Sequence, residues 1–292
     1  MIGKTNVGGG GSGSAWAYIA VTYPSGSTCS ATNGSLTLSA TGTSGLFVFQ
    51  IPQPASTPEV WTVACANGTK TKSDTVSITT QYQVATVTLR YSRLPEGYQE
   101  VEYLQSSGTQ YINTGTAPNG SPETWTTEID ISFMILQSAY CAVGGVYYGT
   151  SAHYALPYSS GSNFAFAFAA DGVVAVGVSI QNVKHNVAIN DSNHAVLLDN
   201  STVGTFTNRV TYQQTVPLYL FAAYDTDSHN YINIGSMRIY EFVRKNNTTN
   251  EVIQRLIPCY RTSDNVAGMI DLVGGTFYTN AGTGTFTVGA DV

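Results

Sequence analysis

The alternation that decides the fold is clearest in the run Thr126-Thr127-Glu128-Ile129-Asp130-Ile131-Ser132-Phe133, where polar and apolar residues alternate from Glu128 onward. Because successive side chains of a β-strand point to opposite faces, this run predicts a strand with Ile129, Ile131 and Phe133 turned inward. The same period of two recurs before it in 16–21 and after it in 237–242. We therefore expect an all-β protein.

The composition agrees with this expectation. Charged residues make up only 10% of the chain, against about 25% in an average soluble domain, and 19 tyrosines are present. Few Lys, Arg and Glu residues mean few good helix formers, whereas Thr, Val, Ile and Tyr favour strands. The net charge of -6, with 12 Lys plus Arg, leaves no basic stripe, so we expect neither nucleic acid nor an anionic membrane as a partner.

The chain divides into three predicted segments. Residues 1–14 end in a Gly/Ser run and are expected to form a flexible arm that orders on a partner. Residues 15–92 contain about seven short alternating runs separated by turn residues, a spacing that predicts a small immunoglobulin-like sandwich. After a Pro- and Gly-containing break, residues 93–292 again read as strands, which favours a larger jelly-roll sandwich.

The four cysteines are Cys29, Cys65, Cys141 and Cys259, and none forms a C-x-x-C motif that would suggest zinc or redox chemistry. We expect them to be small buried hydrophobic residues. Cys29 and Cys65 fall in the same predicted domain and could pair across it, although a domain of this size does not require a disulfide.

Two blocks of the sequence resemble a known family. LPEGYQEVEYLQSSGTQYINTG (94–115) looks like the opening of concanavalin A-like (laminin-G-like) domains of phage and prophage structural proteins. The runs 235–242, 256–261, 268–272 and 277–280 resemble the closing part of the same domains, so the resemblance brackets 94–292. Residues 18–24 and 61–63 are similar to the immunoglobulin-like modules that precede such domains on phage tail and head fibres.

The resemblance implies a structural protein of a bacteriophage particle, of the fibre or decoration type. Such a protein is assembled in the cytoplasm of the bacterial host, and the apolar runs here are too short for a signal peptide. The arm would then bind other virion proteins, and the jelly roll would display a lectin-like surface for a host-surface polysaccharide. The alternative is a purely architectural tail or capsid subunit. Fibres are commonly closed symmetric assemblies, so we also expect a homo-oligomer.

We expect no enzymatic activity and no catalytic residues. Jelly-roll glycosidases carry Glu-x-Asp-x-Glu or Glu-x-Asp-x-x-Glu on one strand, and a retaining mechanism needs both glutamates. Here Glu128 and Asp130 match the start of that motif, but Ser132 and Phe133 occupy the two places open to the second glutamate. The four histidines are scattered without metal-ligand spacing, and no nucleotide-binding motif is present.

A local density of tyrosines marks the predicted ligand surface. Its members are Tyr140, Tyr147, Tyr148, Tyr154 and Tyr158. Tyrosine offers a flat apolar ring to sugar C–H groups and a hydroxyl to sugar oxygens. The alternative is that these rings simply fill the floor of the jelly roll.

One loop has the composition of a weak calcium site. Asp225, Asp227 and Asn230 place oxygen ligands at short intervals, but the glycine and the distal glutamate of an EF-hand are missing. The favoured interpretation is a plain turn between Tyr224 and Tyr231 whose Asx side chains bond to nearby backbone. We expect no other cofactor.

Overall fold

The computed structural model describes residues 16–23, 26–41, 46–52, 58–68, 70–80, 82–89, 92–117, 127–137, 141–148, 152–160, 163–169, 173–190, 195–205, 216–226, 228–232, 234–246 and 249–292. Strands and turns make up these residues, and no α-helix occurs among them, which confirms the predicted all-β class. Accordingly, the described part of the chain holds no helix that is long and apolar enough to span a membrane. The chain forms two compact units, Met1–Arg93 and Leu94–Asp291.

The first unit contains two sheets. Its strands are β1 (Trp16–Thr22), β2 (Thr28–Thr32), β3 (Thr37–Thr41), β4 (Leu46–Pro52), β5 (Glu59–Asn67), β6 (Lys70–Ile78) and β7 (Val84–Thr88). One sheet has the strand order β3-β2-β5-β6, and the other has the order β4-β1-β7. In the three-stranded sheet, β1 pairs antiparallel with β4 and parallel with β7.

The core of the first unit lies between these sheets. Ile19 and Phe49 from one sheet and Trp61 and Val63 from the other belong to a single buried cluster. Buried residues alternate with exposed or half-buried ones along β1 and β5, as expected for strands with one face on a core. The first unit is therefore a β-sandwich.

A disulfide joins Cys29 and Cys65 in the first unit. The two residues are directly opposite each other on the paired strands β2 and β5. The sequence allowed this disulfide, as a bond across the domain, without requiring it. In the structure the bond lies within one sheet. Cys141 and Cys259 of the second unit are buried and are not part of a disulfide.

The second unit contains the remaining strands. They are β8 (Tyr98–Glu100), β9 (Leu104–Ser107), β10 (Ile112–Asn113), β11 (Thr127–Ile135), β12 (Cys141–Ala142), β13 (Gly144–Tyr148), β14 (Ala152–Ser160), β15 (Asn163–Ala169), β16 (Val173–Ser179), β17 (Lys184–Asn190), β18 (Ala195–Leu198), β19 (Ser201–Thr205), β20 (Tyr219–Leu220), β21 (Ala223–Asp225), β22 (Asn230–Ile232), β23 (Ser236–Asn246), β24 (Glu251–Arg261), β25 (Ala267–Asp271), β26 (Phe277–Thr279) and β27 (Thr287–Val288).

Two large sheets are built from these strands. The nine-stranded sheet has the path β10-β20-β13-β14-β15-β16, joined by β12, β21 and β22. The eleven-stranded sheet has the path β19-β18-β17-β11-β23-β24-β25-β26, joined by β8, β9 and β27. One buried cluster takes residues from both sheets, among them Phe164 and Leu220 from the first and Phe133 and Phe242 from the second. This arrangement is a sandwich and is compatible with a jelly roll.

The strand predicted from residues 126–133 lies in the middle of the eleven-stranded sheet. It is β11, where Ile131, Phe133 and Ile135 are buried and Ser132 is half-buried. The side chains of residues 127–130 lie outside the described residues, so the outward placement of Glu128 and Asp130 stays a prediction. The finer assignment of the two units to immunoglobulin-like and jelly-roll folds also stays a prediction, as do the bounds 1–14, 15–92 and 93–292.

The two blocks that carry the family resemblance meet in the eleven-stranded sheet. Strand β9 pairs with both β23 and β27, and β8 pairs with β24. A small second core forms on the neighbouring strands β8, β24, β25 and β26, with Ile257, Cys259 and Ile270 buried and Tyr98 and Phe277 packed against them. Burial raises the pKa of the Cys259 thiol to about 12, so this cysteine stays an inert packing residue.

Candidate ligand-binding site

Four tyrosines of the second unit contact one another. We call Tyr111, Tyr219, Tyr224 and Tyr231 the tyrosine cluster. The Tyr111 and Tyr231 rings are stacked with their centroids 4.1 Å apart, and Tyr219 and Tyr224 are stacked at 5.4 Å. Tyr231 also meets Tyr219 edge to face at 5.2 Å. Such offset and edge contacts are the favoured geometries of aromatic pairs, each worth about 0.5–1.5 kcal/mol beyond the area that they bury.

Strand pairing in the nine-stranded sheet brings these rings together. Strand β10 pairs with β20, which places Asn113 opposite Tyr219. Strands β21 and β22 form a hairpin, which places Tyr224 opposite Tyr231. Asn113 donates a hydrogen bond from Nδ2 to the Tyr219 hydroxyl at 3.4 Å, so an amide lies beside the rings.

Tyr111 is held from the side by the closing segment of the chain. Its backbone N–H donates to Oδ1 of Asn280 at 3.2 Å, and the same oxygen accepts the N–H of Gly282 at 2.9 Å. The Tyr111 ring lies so close to Gly282 that a Cβ at that position would be 2.9 Å from the ring and 2.2 Å from the Thr109 carbonyl oxygen. Only glycine therefore fits beneath this ring.

Burial of the inner rings affects the ionisation of their hydroxyls. It raises the pKa of both Tyr111 and Tyr219 above the ordinary tyrosine value, and interaction with the neighbouring Tyr231 hydroxyl adds to the increase. Both of these hydroxyls are neutral near pH 7, so the inner part of the cluster contributes polar groups without charge.

The tyrosine cluster is buried on one side and open on the other. Tyr111 and Tyr219 are 8% and 6% exposed, whereas Tyr224 and Tyr231 are half-buried. The two inner rings support the two outer ones, whose remaining surface combines an apolar ring with a hydroxyl. A surface of this kind can contact the C–H face of a sugar ring and hydrogen-bond its oxygens at a low cost in side-chain entropy.

The tyrosines predicted from local density lie on neighbouring strands. Tyr147 and Tyr148 are in β13, and Tyr154 and Tyr158 are in β14 of the same nine-stranded sheet. The backbone of Tyr147 is aligned with that of Asp225, the residue after Tyr224. Their side chains, and the whole of Tyr140, lie outside the described residues, so their role in binding stays a prediction.

The predicted calcium loop is the turn of the β21–β22 hairpin, adjacent to the tyrosine cluster. Asp225 Oδ2 accepts the Ser228 hydroxyl at 2.7 Å, and Asn230 Oδ1 accepts the N–H of Tyr231 at 2.9 Å. Asp227 lies outside the described residues. Within those residues, no group of three or more His, Cys, Asp or Glu side chains is arranged to hold a metal ion. Calcium binding through this loop stays an untested alternative.

A titratable pair lies in the eleven-stranded sheet. His185 of β17 is buried, and its Nδ1 is 2.7 Å from Oδ2 of Asp199 at the β18–β19 turn. Burial alone would raise the pKa of Asp199, but hydrogen bonds from the N–H of Asn186 and from His185 outweigh it and lower this pKa. The pair connects the ends of neighbouring strands and therefore has a structural role.

The sequence prediction missed the tyrosine cluster. A usable signal existed for one half of it, because a turn over 225–230 necessarily sets Tyr224 opposite Tyr231. For Tyr111 and Tyr219 there was no local signal, since they meet through the pairing of β10 with β20. No protein-family model matches the chain, and no curated protein does either.

Proposed function

We propose that this chain is a non-enzymatic structural protein of a bacteriophage particle, of the fibre or decoration type, whose second unit binds a host-surface glycan on the tyrosine cluster. The observation that carries the binding proposal is the contact of four tyrosines with two outer rings half-buried. The phage assignment depends on the resemblance of 94–115 and of the closing runs to phage and prophage domains.

Chemistry at the tyrosine cluster favours an uncharged ligand with both apolar and hydroxyl surface. The hydroxyls of Tyr111 and Tyr219 are neutral near pH 7, and Asn113 adds an amide donor beside them. Sugars combine a C–H face with hydroxyls in this way. A site of two outer rings binds weakly by itself, and several copies on one particle would raise the overall avidity by about 10²–10⁴.

The remaining parts of the proposal concern location and partners. The arm 1–14 would attach the protein to other virion proteins, and the location would be the virion, after assembly in the bacterial cytoplasm. The scarcity of Lys and Arg argues against nucleic acid and anionic membranes as ligands.

Binding of the full chain to host cells and to a glycan array tests the proposal. Tyr231→Ala removes an outer ring together with its two hydroxyl contacts, and we expect at least about a tenfold loss of binding, or about 1.4 kcal/mol. Tyr231→Phe keeps the ring and should retain part of the binding. Tyr260→Ala is the matched control, because this half-buried tyrosine of the same unit lies in β24 and bonds with Asp291. Equal binding by wild type and Tyr231→Ala, with both folded, would reject the site.

A purely architectural role is the second candidate function. The low exposure of Tyr111 and Tyr219, together with their ring contacts to Tyr231, is also what a packing cluster would have. In that case Tyr231→Ala lowers the melting temperature without changing adsorption to host cells. An image of the particle in which neighbouring subunits cover the tyrosine cluster would favour this role.

A further inference from the structure

The outer face of the three-stranded sheet in the first unit is largely apolar. Trp16, Tyr18 and Ala20 lie on this face of β1 and are half-buried, alternating with buried core residues. On the flanking strands, Val84 is 63% exposed and Leu46 is 51% exposed. Large contiguous exposed apolar surface on a protein commonly marks a site of interaction with another molecule. We call this surface the apolar face.

Strand β4 forms one edge of that sheet. Among the described residues it pairs only with β1, and no described strand pairs with the other side of Phe47–Ile51. None of its seven residues is charged. Of the other edge strands, β6 carries Lys70, Lys72 and Asp74, whereas β3 and β7 are also uncharged but are shorter, at five residues each. Charges are a common means by which proteins prevent edge pairing, and β4 lacks them.

We propose that β4 pairs antiparallel with β4 of a second copy of this chain. Unpaired backbone groups of an edge are best satisfied by another strand, which defines the kind of partner. An antiparallel pair of identical strands closes on a twofold axis, so the same surface serves both copies and no open edge remains at the contact. This inference does not depend on the proposed glycan binding.

Side-chain complementarity supports this partner. With the twofold axis at Phe49, Phe47 of one copy lies opposite Ile51 of the second copy, and both belong to the buried side of the strand. On the outer side, Val48 lies opposite Gln50 of the second copy. Each chain has a net charge of -6, and the uncharged β4 is therefore a place where two copies can approach with little repulsion. The two apolar faces then become continuous.

Sedimentation of the full chain over a concentration series up to about 200 µM tests this proposal. We expect a dimer for the wild type and at least about a tenfold weaker dimer for Val48→Lys, because the two lysines lie diagonally across the axis on the same face, repel each other and stay solvated. Thr86→Lys is the matched control, since Val48 and Thr86 align with Ala20 from opposite sides. It should leave the dimer intact. Melting temperatures of both variants verify that they are folded.

Two results would overturn the proposal. One is a wild-type chain that stays monomeric over the whole concentration range. The other is a Val48→Lys variant that dimerises as strongly as wild type. In the first case, hydrogen-exchange protection of β4 amides in the assembled particle alone would identify another particle protein as the partner.

Discussion

The disulfide of the first unit makes a quantitative prediction about stability. Cys29 and Cys65 are separated by 36 positions, and the bond closes a loop of about that length in the unfolded chain. The chain-entropy relation for a loop of this size gives about 4 kcal/mol of stabilisation at 25 °C. For a domain of fewer than 100 residues, a loss of that size lowers the melting temperature by about 15–30 °C.

Reduction is the most direct perturbation, because it removes the cross-link without replacing either residue. Both cysteines are buried, so the chain is unfolded in denaturant with a reducing agent and refolded in its presence. Peptide-resolved hydrogen exchange in urea then measures the free energy of unfolding of each unit separately, and Trp61, buried on the same strand as Cys65, gives a fluorescence check.

The second unit is the internal control, because its cysteines Cys141 and Cys259 form no disulfide that reduction could break. We expect its unfolding free energy to be unchanged by reduction, while that of the first unit falls by about 4 kcal/mol. A fall of less than about 1 kcal/mol would show that the unfolded chain is already compact around this loop and would refute the entropic argument.

Two further predictions concern the second unit. Gly282→Ala forces a Cβ against the Thr109 carbonyl and the Tyr111 ring, so we expect a loss of about 1–3 kcal/mol and an altered near-ultraviolet circular dichroism of the tyrosines; an unchanged spectrum and melting temperature would contradict the close packing. Asp199 has a pKa below its ordinary value of 3.8 in the folded chain, so it stabilises the fold above about pH 4 and loses this effect as the pH falls through the folded pKa. Urea unfolding of wild type and Asp199→Asn should therefore differ near neutral pH and converge in acid, and a difference that is the same at every pH would exclude this linkage.

The all-β class could be predicted because each strand carries its own signal. In β11 the alternation of Ile131, Ser132 and Phe133 is enough to predict a strand and its buried side. Its length was less predictable: the run ends at Phe133 in the sequence pattern, whereas the strand continues to Ile135 past a register shift in its pairing with β23. Pairing of this kind depends on a neighbour that is distant in sequence.

The candidate site was harder to predict for the same reason. The density of tyrosines along the chain is highest in 140–158. The density of tyrosines in space, however, depends on which strands become neighbours. Tyr111 and Tyr219 are in contact because β10 pairs with β20, and nothing near either residue encodes that pairing. The disulfide illustrates the same limit, since its geometry follows from the register of β2 with β5.

The parallel pairing of β1 with β7 determines how the first unit responds to mechanical force. These are the first and last strands in the described part of the unit, aligned from Tyr18 with Val84 to Thr22 with Thr88. Tension applied to the entering and leaving chain ends pulls two parallel strands past each other, so their hydrogen bonds are loaded together in shear instead of opening one by one. If this contact ruptures, the Cys29–Cys65 bond still keeps the intervening segment from extending, and the unit lengthens by less than its full contour.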